Sequence, residues 1–177
     1  MVSAHASTDQ VWAWLHEVED PEIPVVSIVD LGIVRDVHWE DGELGVECVV
    51  TLTPTYSGCP ATHVIARDVK ETLNARGISL VRLQTRLSPA WTTDWLSAQG
   101  RENLREYGIA PPGGPGAEQY IRIGDIGGRT SVSPDGLACP RCASPKVALV
   151  SPFGSTPCKA LYRCTDCLEP FDVFKHH

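Results

Sequence analysis

The chain lacks the marks of several large functional classes. No apolar run approaches the ~20 residues needed to cross a bilayer. The polar opening stretch, Met1 to Gln10, contains nothing like the apolar segment of a secretion signal. There is no excess of basic residues: a net charge of −7 and a pI near 5.3 argue against a nucleic-acid backbone as partner. No dinucleotide fingerprint occurs, and Gly154-Ser155-Thr156 lacks the glycine and lysine spacing of a phosphate loop. No Glu-x-x-His helix pair of the di-iron carboxylate type is present. These absences point to a cytoplasmic protein with no membrane and no nucleic-acid partner, and they argue against direct oxygenase chemistry.

The 177 residues, 42% apolar and 21% charged, are enough to bury a core. The charge is uneven: residues 1–110 carry 16 acidic and 8 basic side chains, residues 111–177 carry 6 and 7. An acidic front half suits docking to proteins, although a solvated acidic surface that aids solubility explains it equally well.

Hydrophobic spacing predicts an α/β (α+β) architecture. A first helix runs from Ser7-Thr8-Asp9 to about Glu19, with Val11, Trp14, Leu15 and Val18 on one face. A hairpin follows: residues 33–39 form one strand, Asp41-Gly42 the turn, and Leu44 to Leu52 the return strand, with Leu44, Val46, Cys48, Val50 and Leu52 on one face. Cys48 in the middle of that row reads as a packed core thiol. A second helix spans Pro60 to about Arg76 with Ile65, Ala66, Val69 and Leu73 inward, and Ile78 to Leu87 holds a third strand. The expected product is a small mixed three-stranded sheet with packed helices. Trp91 to Tyr107 reads as a trailing amphipathic helix. The expected domains are residues 1–110, a linker and poorly determined segment 111–136 in which Gln119 to Ile123 could form a strand, and a C-terminal unit 137–177.

That last unit carries the strongest motif. Cys139-Pro140-Arg141-Cys142 and Cys164-Thr165-Asp166-Cys167 are two Cys-x-x-Cys knuckles separated by 21 residues. Without a secretion signal this spacing reads as metal binding, not as a disulfide framework. Four thiolates match a closed tetrahedral Zn²⁺ site of the zinc-ribbon kind, a structural metal that leaves no open position. The same ligands accept a rubredoxin-like iron or an iron–sulfur cluster. Cys158 lies too far along its strand to share that metal; with Lys159 beside it, it is either a second reactive thiol or an incidental one.

Cys59 raises the functional question. It precedes Pro60, a residue favoured at the first turn of a helix, so its sulfur falls at or next to the N-cap. The unpaired N–H groups there favour a thiolate, which is a metal ligand or a nucleophile. Asp20, Glu22 and Asp30 lie in adjoining loops and read either as supporting oxygen ligands or as turn caps. Thr53 and Thr55 either hydrogen-bond the thiolate or end the strand. His63, one turn into the helix, reads more readily as a solvated histidine. No base other than His63 and no oxyanion hole accompany Cys59, which argues against a thiol hydrolase.

Three spaced blocks, Asp20-Pro21-Glu22-Ile23-Pro24, Ile28 to Val34, and Leu52-Thr53-Pro54 leading to Gly58-Cys59-Pro60, resemble the SufT-like iron–sulfur assembly domain over about residues 8–90. The cysteine knuckles, Phe153-Gly154-Ser155-Thr156-Pro157-Cys158-Lys159, Cys167 to Asp172 and the Ser88 to Trp95 block resemble the PaaD proteins of the bacterial phenylacetate pathway over nearly the whole chain. The resemblance implies an accessory protein of the phenylacetyl-CoA epoxidase, with no independent catalysis of its own. Implied partners are the oxygenase and reductase components and iron–sulfur assembly proteins, with a homodimer left open. The implied cofactors are structural zinc and a transient iron or iron–sulfur cluster held by Cys59. A second reading is an adaptor that docks epoxidase components through the ribbon and the segment bearing Trp91 and Trp95.

Overall fold

The computed structural model describes residues 5–112 and 136–175. The expected strand at Gln119 to Ile123 and the terminal His176 and His177 lie outside these residues. The chain forms two compact units, one of Met1–Trp91 with Trp95–Gly100, the other of Thr92–Asp94 with Arg101–His177.

In the first unit, helix α1 (Thr8–Leu15) opens on a capping box: Ser7 Oγ accepts from the Gln10 N–H, and the Gln10 side chain accepts from the Ser7 N–H. Val11 and Leu15 are buried one turn apart. The helix stops four residues earlier than periodicity suggests. Val18 is still buried, but through a turn in which its N–H bonds Leu15. Glu19–Asp20 (β1) then pairs with Ile23–Ser27 (β2). The carboxylate of Asp20 fixes this ribbon by accepting from the Glu22 and Ile23 N–H groups at 2.9 and 3.0 Å.

The main sheet has order β3-β4-β5, with β3 (Val34–Gly42) antiparallel to β4 (Gly45–Leu52) and β5 (Val81–Thr85) parallel to it. Two details depart from expectation. Strand β3 runs through Asp41-Gly42 to pair Gly42 with Gly45, so the turn is Glu43-Leu44 and Leu44 is exposed instead of facing inward. As the central strand, β4 is buried on both faces from Cys48 to Leu52, which hides the alternation expected of a half-buried strand. Cys48 is fully buried, as expected, and burial pushes its thiol up to about 11.

Helix α2 (Ala61–Ala75) buries Ala61, Ile65, Val69 and Leu73, while Ala66 is half-buried. It ends in a Schellman motif: Gly77, at φ +89°, donates to Asn74, and Ile78 donates to Leu73. The strand that follows it, β5, is shorter than the expected 78–87. The helix expected from Trp91 also starts late. Trp91 is buried in a loop with its indole N–H on the Leu31 carbonyl at 2.8 Å, Thr93–Trp95 forms a 3₁₀ turn, and α3 spans Ala98–Tyr107. Ser97 Oγ accepts from the Gly100 N–H at 2.8 Å and so caps that helix.

In the second unit, β6 (Val147–Ser151), β7 (Lys159–Cys164) and β8 (Pro170–Phe174) form an antiparallel sheet in that order. Tyr162, Phe171, Val147, Val173, Ala160 and Ala110 pack with Cys139 and Cys164 into a small core. Among the described residues, no helix is long and apolar enough to cross a membrane.

Candidate functional site

The two cysteine knuckles converge. The sulfurs of Cys139, Cys142, Cys164 and Cys167 all lie within 4.8 Å of one another, with Cys139–Cys167 at 3.7 Å and Cys142–Cys164 at 3.6 Å. Tetrahedral Zn–S bonds of ~2.3 Å place sulfurs about 3.8 Å apart, so the spacing fits zinc. Electrostatics agree. Ser144's N–H favours the Cys142 thiolate, but the hydrogen bonds that the Cys142 thiol donates to the other three sulfurs, together with burial, prevail and push it to about 12. The backbone N–H of Cys167 draws Cys164 down to about 7. A cation bound among the four sulfurs takes the place of the thiol protons.

Cys158 is buried outside this group, its sulfur 3.0 Å from Thr156 Oγ1. Lys175 is a cation that feels it. Burial lowers Lys175 while Cys158 opposes that shift, and Lys159 is buried with its ammonium 3.9 Å from Asp172.

The Cys59 site is built differently. Pro60 is the N-cap of α2 and offers no side-chain hydrogen bond. The Cys59 sulfur lies at this turn, where the Ala61 N–H and the Thr62 hydroxyl favour its thiolate. The backbone closes the same turn, Thr62 N–H on the Cys59 carbonyl at 3.3 Å. The sulfur therefore sits where helix polarity helps a thiolate. Other influences act against ionisation. Burial raises the thiol pKa above its ordinary value, and Glu22 and Asp20 raise it further, outweighing the Ala61 and Thr62 hydrogen bonds.

The charges of Glu22 and Asp20 act on the Cys59 thiol. Asp30 does not figure among the charges that act on it. Its buried carboxylate is bound by Ser27 Oγ at 2.8 Å, Ser97 Oγ at 2.5 Å and His16 Nε2 at 3.1 Å, which makes it a structural hub. Thr53 and Thr55 are buried, but the sulfur's donors are Ala61 and Thr62. Thr53 ends the strand, its N–H on Ile33. Thr62 is the residue that sequence reasoning missed; its place three positions after Cys59, on the first turn, was the available signal. His63 is exposed. Among the described residues, the ribbon cysteines are the group of three or more His, Cys, Asp or Glu side chains close enough to share an ion. Cys59 is a half-buried sulfur outside that group.

Two family models match the chain, the PaaD zinc beta ribbon domain at residues 127–175 and the iron–sulfur cluster assembly protein at residues 8–77. An Escherichia coli protein described as a candidate component of 1,2-phenylacetyl-CoA epoxidase is 46% identical over 166 residues, covering 94% of this chain and 91% of that one. The chain belongs to the PaaD family. Its first half is also 33% identical over 93 residues to an Fe–S protein maturation auxiliary factor of Porphyromonas gingivalis, covering 51% of this chain and 83% of the relative. A solved domain of unknown function from Bacillus anthracis is 32% identical, covering 54% of this chain and 89% of that chain, at a TM-score of 0.48. The fold is the mixed α+β arrangement with a C-terminal ribbon that the sequence predicts, and its cysteine cluster suits zinc.

Proposed function

We propose that the chain is an accessory factor of a phenylacetyl-CoA epoxidase system that matures iron–sulfur or di-iron centres, with Cys59 as the residue that handles the cargo. In this reading residues 1–110 are the assembly domain, 111–136 a linker, and 137–177 a ribbon that holds structural zinc and contributes to docking. The observation that carries it is the convergence of one half-buried thiol, two helix-start donors and two carboxylates at the mouth of α2. A cation arriving there displaces the thiol proton, gains a sulfur ligand and relieves the repulsion between thiolate and acids. Similarity over nearly the full length to an epoxidase-associated protein, and over the first half to Fe–S maturation factors, supports the same direction. The client is proposed to be the oxygenase or reductase component, loaded in the cytoplasm.

The test is Cys59→Ser, with metal and sulfide measured in chain purified without oxygen and in the co-expressed epoxidase components. The reading expects zinc to stay at about one per chain, iron bound to the chain to fall, and the reductase cluster or di-iron content to drop while the complex still assembles. Unchanged client content overturns it in favour of the adaptor.

The adaptor reading has an observation of its own: Val150, Phe153 and Leu168 of the ribbon unit are large apolar side chains left exposed. Its other half is weaker, because Trp91 is buried and Trp95 is half-buried.

A further inference from the structure

Strand β3 carries a second feature, separate from Cys59 and from the zinc. The β3–β4 register slips between Val34, opposite Leu52, and Asp36, opposite Thr51, so Arg35 is the extra residue of a β-bulge. Bulges re-aim a side chain out of the strand's alternation and recur beside functional sites. Here the guanidinium carbon lies 3.5 Å from the centroid of the Trp95 ring. The ring is held in place. Gly32 adopts φ +68°, and a Cβ there would come within 2.6 Å of the Trp95 Cβ and carbonyl oxygen, so glycine permits the close approach. Two residues on, Ser97 anchors the segment to Asp30 through its N–H on the carbonyl at 2.8 Å and its hydroxyl on the carboxylate at 2.5 Å.

What Arg35 lacks among the described residues is an anion. Among the described residues its guanidinium makes no hydrogen bond and no ion pair, although it is half-buried. Neighbouring carboxylates on the strand are committed elsewhere, Asp36 to His38 at 2.7 Å and Glu40 to Arg82. Burial draws the Arg35 pKa down, and no acid among the described residues opposes it. A stacked guanidinium keeps all its N–H donors free in its own plane, a fork that matches a planar carboxylate.

We propose that Arg35, stacked on Trp95, is a recognition site for a carboxylate group, supplied either by an acidic residue of a partner protein or by a small carboxylic acid. A carboxylate fits better than a phosphate dianion because residues 5–91 carry 13 acidic and 6 basic side chains, a field that opposes a second negative charge.

The test is NMR of the full-length, zinc-loaded chain with ¹⁵N-labelled arginine, the Arg35 Nε–H signal being identified by its loss in R35K. Sodium acetate, a blocked glutamate-containing peptide and inorganic phosphate are titrated at constant ionic strength. The expected result is a saturable shift of that signal with acetate or the peptide. R35K, which keeps charge but loses the fork, is compared with the parent at the Trp95 indole N–H of ¹⁵N-tryptophan-labelled chain and weakens binding about tenfold, the loss of one charge-assisted hydrogen bond. W95F weakens it less and keeps the pocket packed. A peptide that outcompetes acetate assigns the site to a protein partner, and parity assigns it to small acids. A shift no larger than chloride produces overturns the proposal, and so does phosphate binding more tightly than either carboxylate.

Discussion

Replacing Asp30 by asparagine separates two roles that one buried carboxylate could have in the first unit. The structure gives it three side-chain donors, Ser27, Ser97 and His16, and its own N–H bonds Ser27 Oγ at 2.9 Å. D30N keeps the shape and one acceptor oxygen but removes the charge, so the two serine bonds fall from charge-assisted to neutral strength. Each loses about 1 kcal/mol, or about 2 kcal/mol together, with the half-exposed His16 contact adding little. For a unit of this size ~1 kcal/mol moves the midpoint by about 4–8 °C, so D30N should melt roughly 10 °C below the parent. Removing the carboxylate altogether, as D30A, also strands two hydroxyls and should cost about 3–5 kcal/mol, a large part of a small domain's stability. The assay is thermal unfolding followed at 222 nm, where helices α1 and α2 of this unit dominate, together with Cys59 alkylation below the transition. The structural role requires the midpoint to drop and the alkylation rate to stay. An unchanged midpoint with altered Cys59 reactivity would refute it and return Asp30 to the site.

Three further outcomes are expected. Because the Cys59 pKa is raised, its alkylation by iodoacetamide, mapped by mass spectrometry, should keep climbing past the ordinary cysteine range; E22Q removes one of the raising charges and should speed the reaction near pH 8, whereas an unchanged rate would count against the carboxylate contact. The sign for stability follows: the folded thiol binds its proton more tightly than the unfolded one, so its contribution is present at neutral pH and is lost as pH rises through the folded value. G32A forces a Cβ against Trp95 at positive φ and should destabilise the first unit by about 3 kcal/mol, read from the same melt; a loss under about 0.5 kcal/mol would mean Trp95 is free to move. Stripping zinc with a mercurial reagent should release about one equivalent per chain, and amide exchange across β6–β8 should then lose protection, since a unit this small depends on its metal; protection that survives would contradict a structural zinc.

Much of this was legible in the residues, and the misses share a cause. The ribbon was readable because four cysteines at fixed spacing have one good solution, a shared cation. Helix α2 was readable because Ile65, Val69 and Leu73 repeat at helical spacing and Gly77 supplies a left-handed terminus. Where tertiary contacts overrule local pattern, the reading failed. Leu44 looked like the first inward residue of β4, but the pairing of Gly42 with Gly45 puts it in the turn. The helix expected from Trp91 starts at Ala98 because the Trp91 indole is committed to Leu31, a bond across 60 positions that no window of sequence contains. Asp30 read equally as an oxygen ligand for the Cys59 site or as a turn cap; its partners Ser97 and His16 lie outside its own loop. The Cys59 environment was half legible. Position at the helix start could be inferred, but the balance of burial and two acids against two hydrogen bonds could not.

That balance bears on how two kinds of sulfur site coexist in one chain. In the ribbon, four sulfurs within 4.8 Å close around a cation, and each thiol released would leave the others to hold it. Such a site retains its metal and contributes the binding energy to folding. At Cys59 one half-buried sulfur faces carboxylates that act through space, and among the described residues no third ligand is in reach. A pre-ionised thiolate there would bind thiophilic metals indiscriminately; a thiol whose pKa is raised by burial, and further by its acids, ionises when a cation compensates the charge. Cargo held this way is bound by few bonds and can be taken by a client that offers more of them. On the proposed reading, the raised pKa of Cys59 thus serves release, because when the cargo leaves, the proton returns and the site closes to other metals.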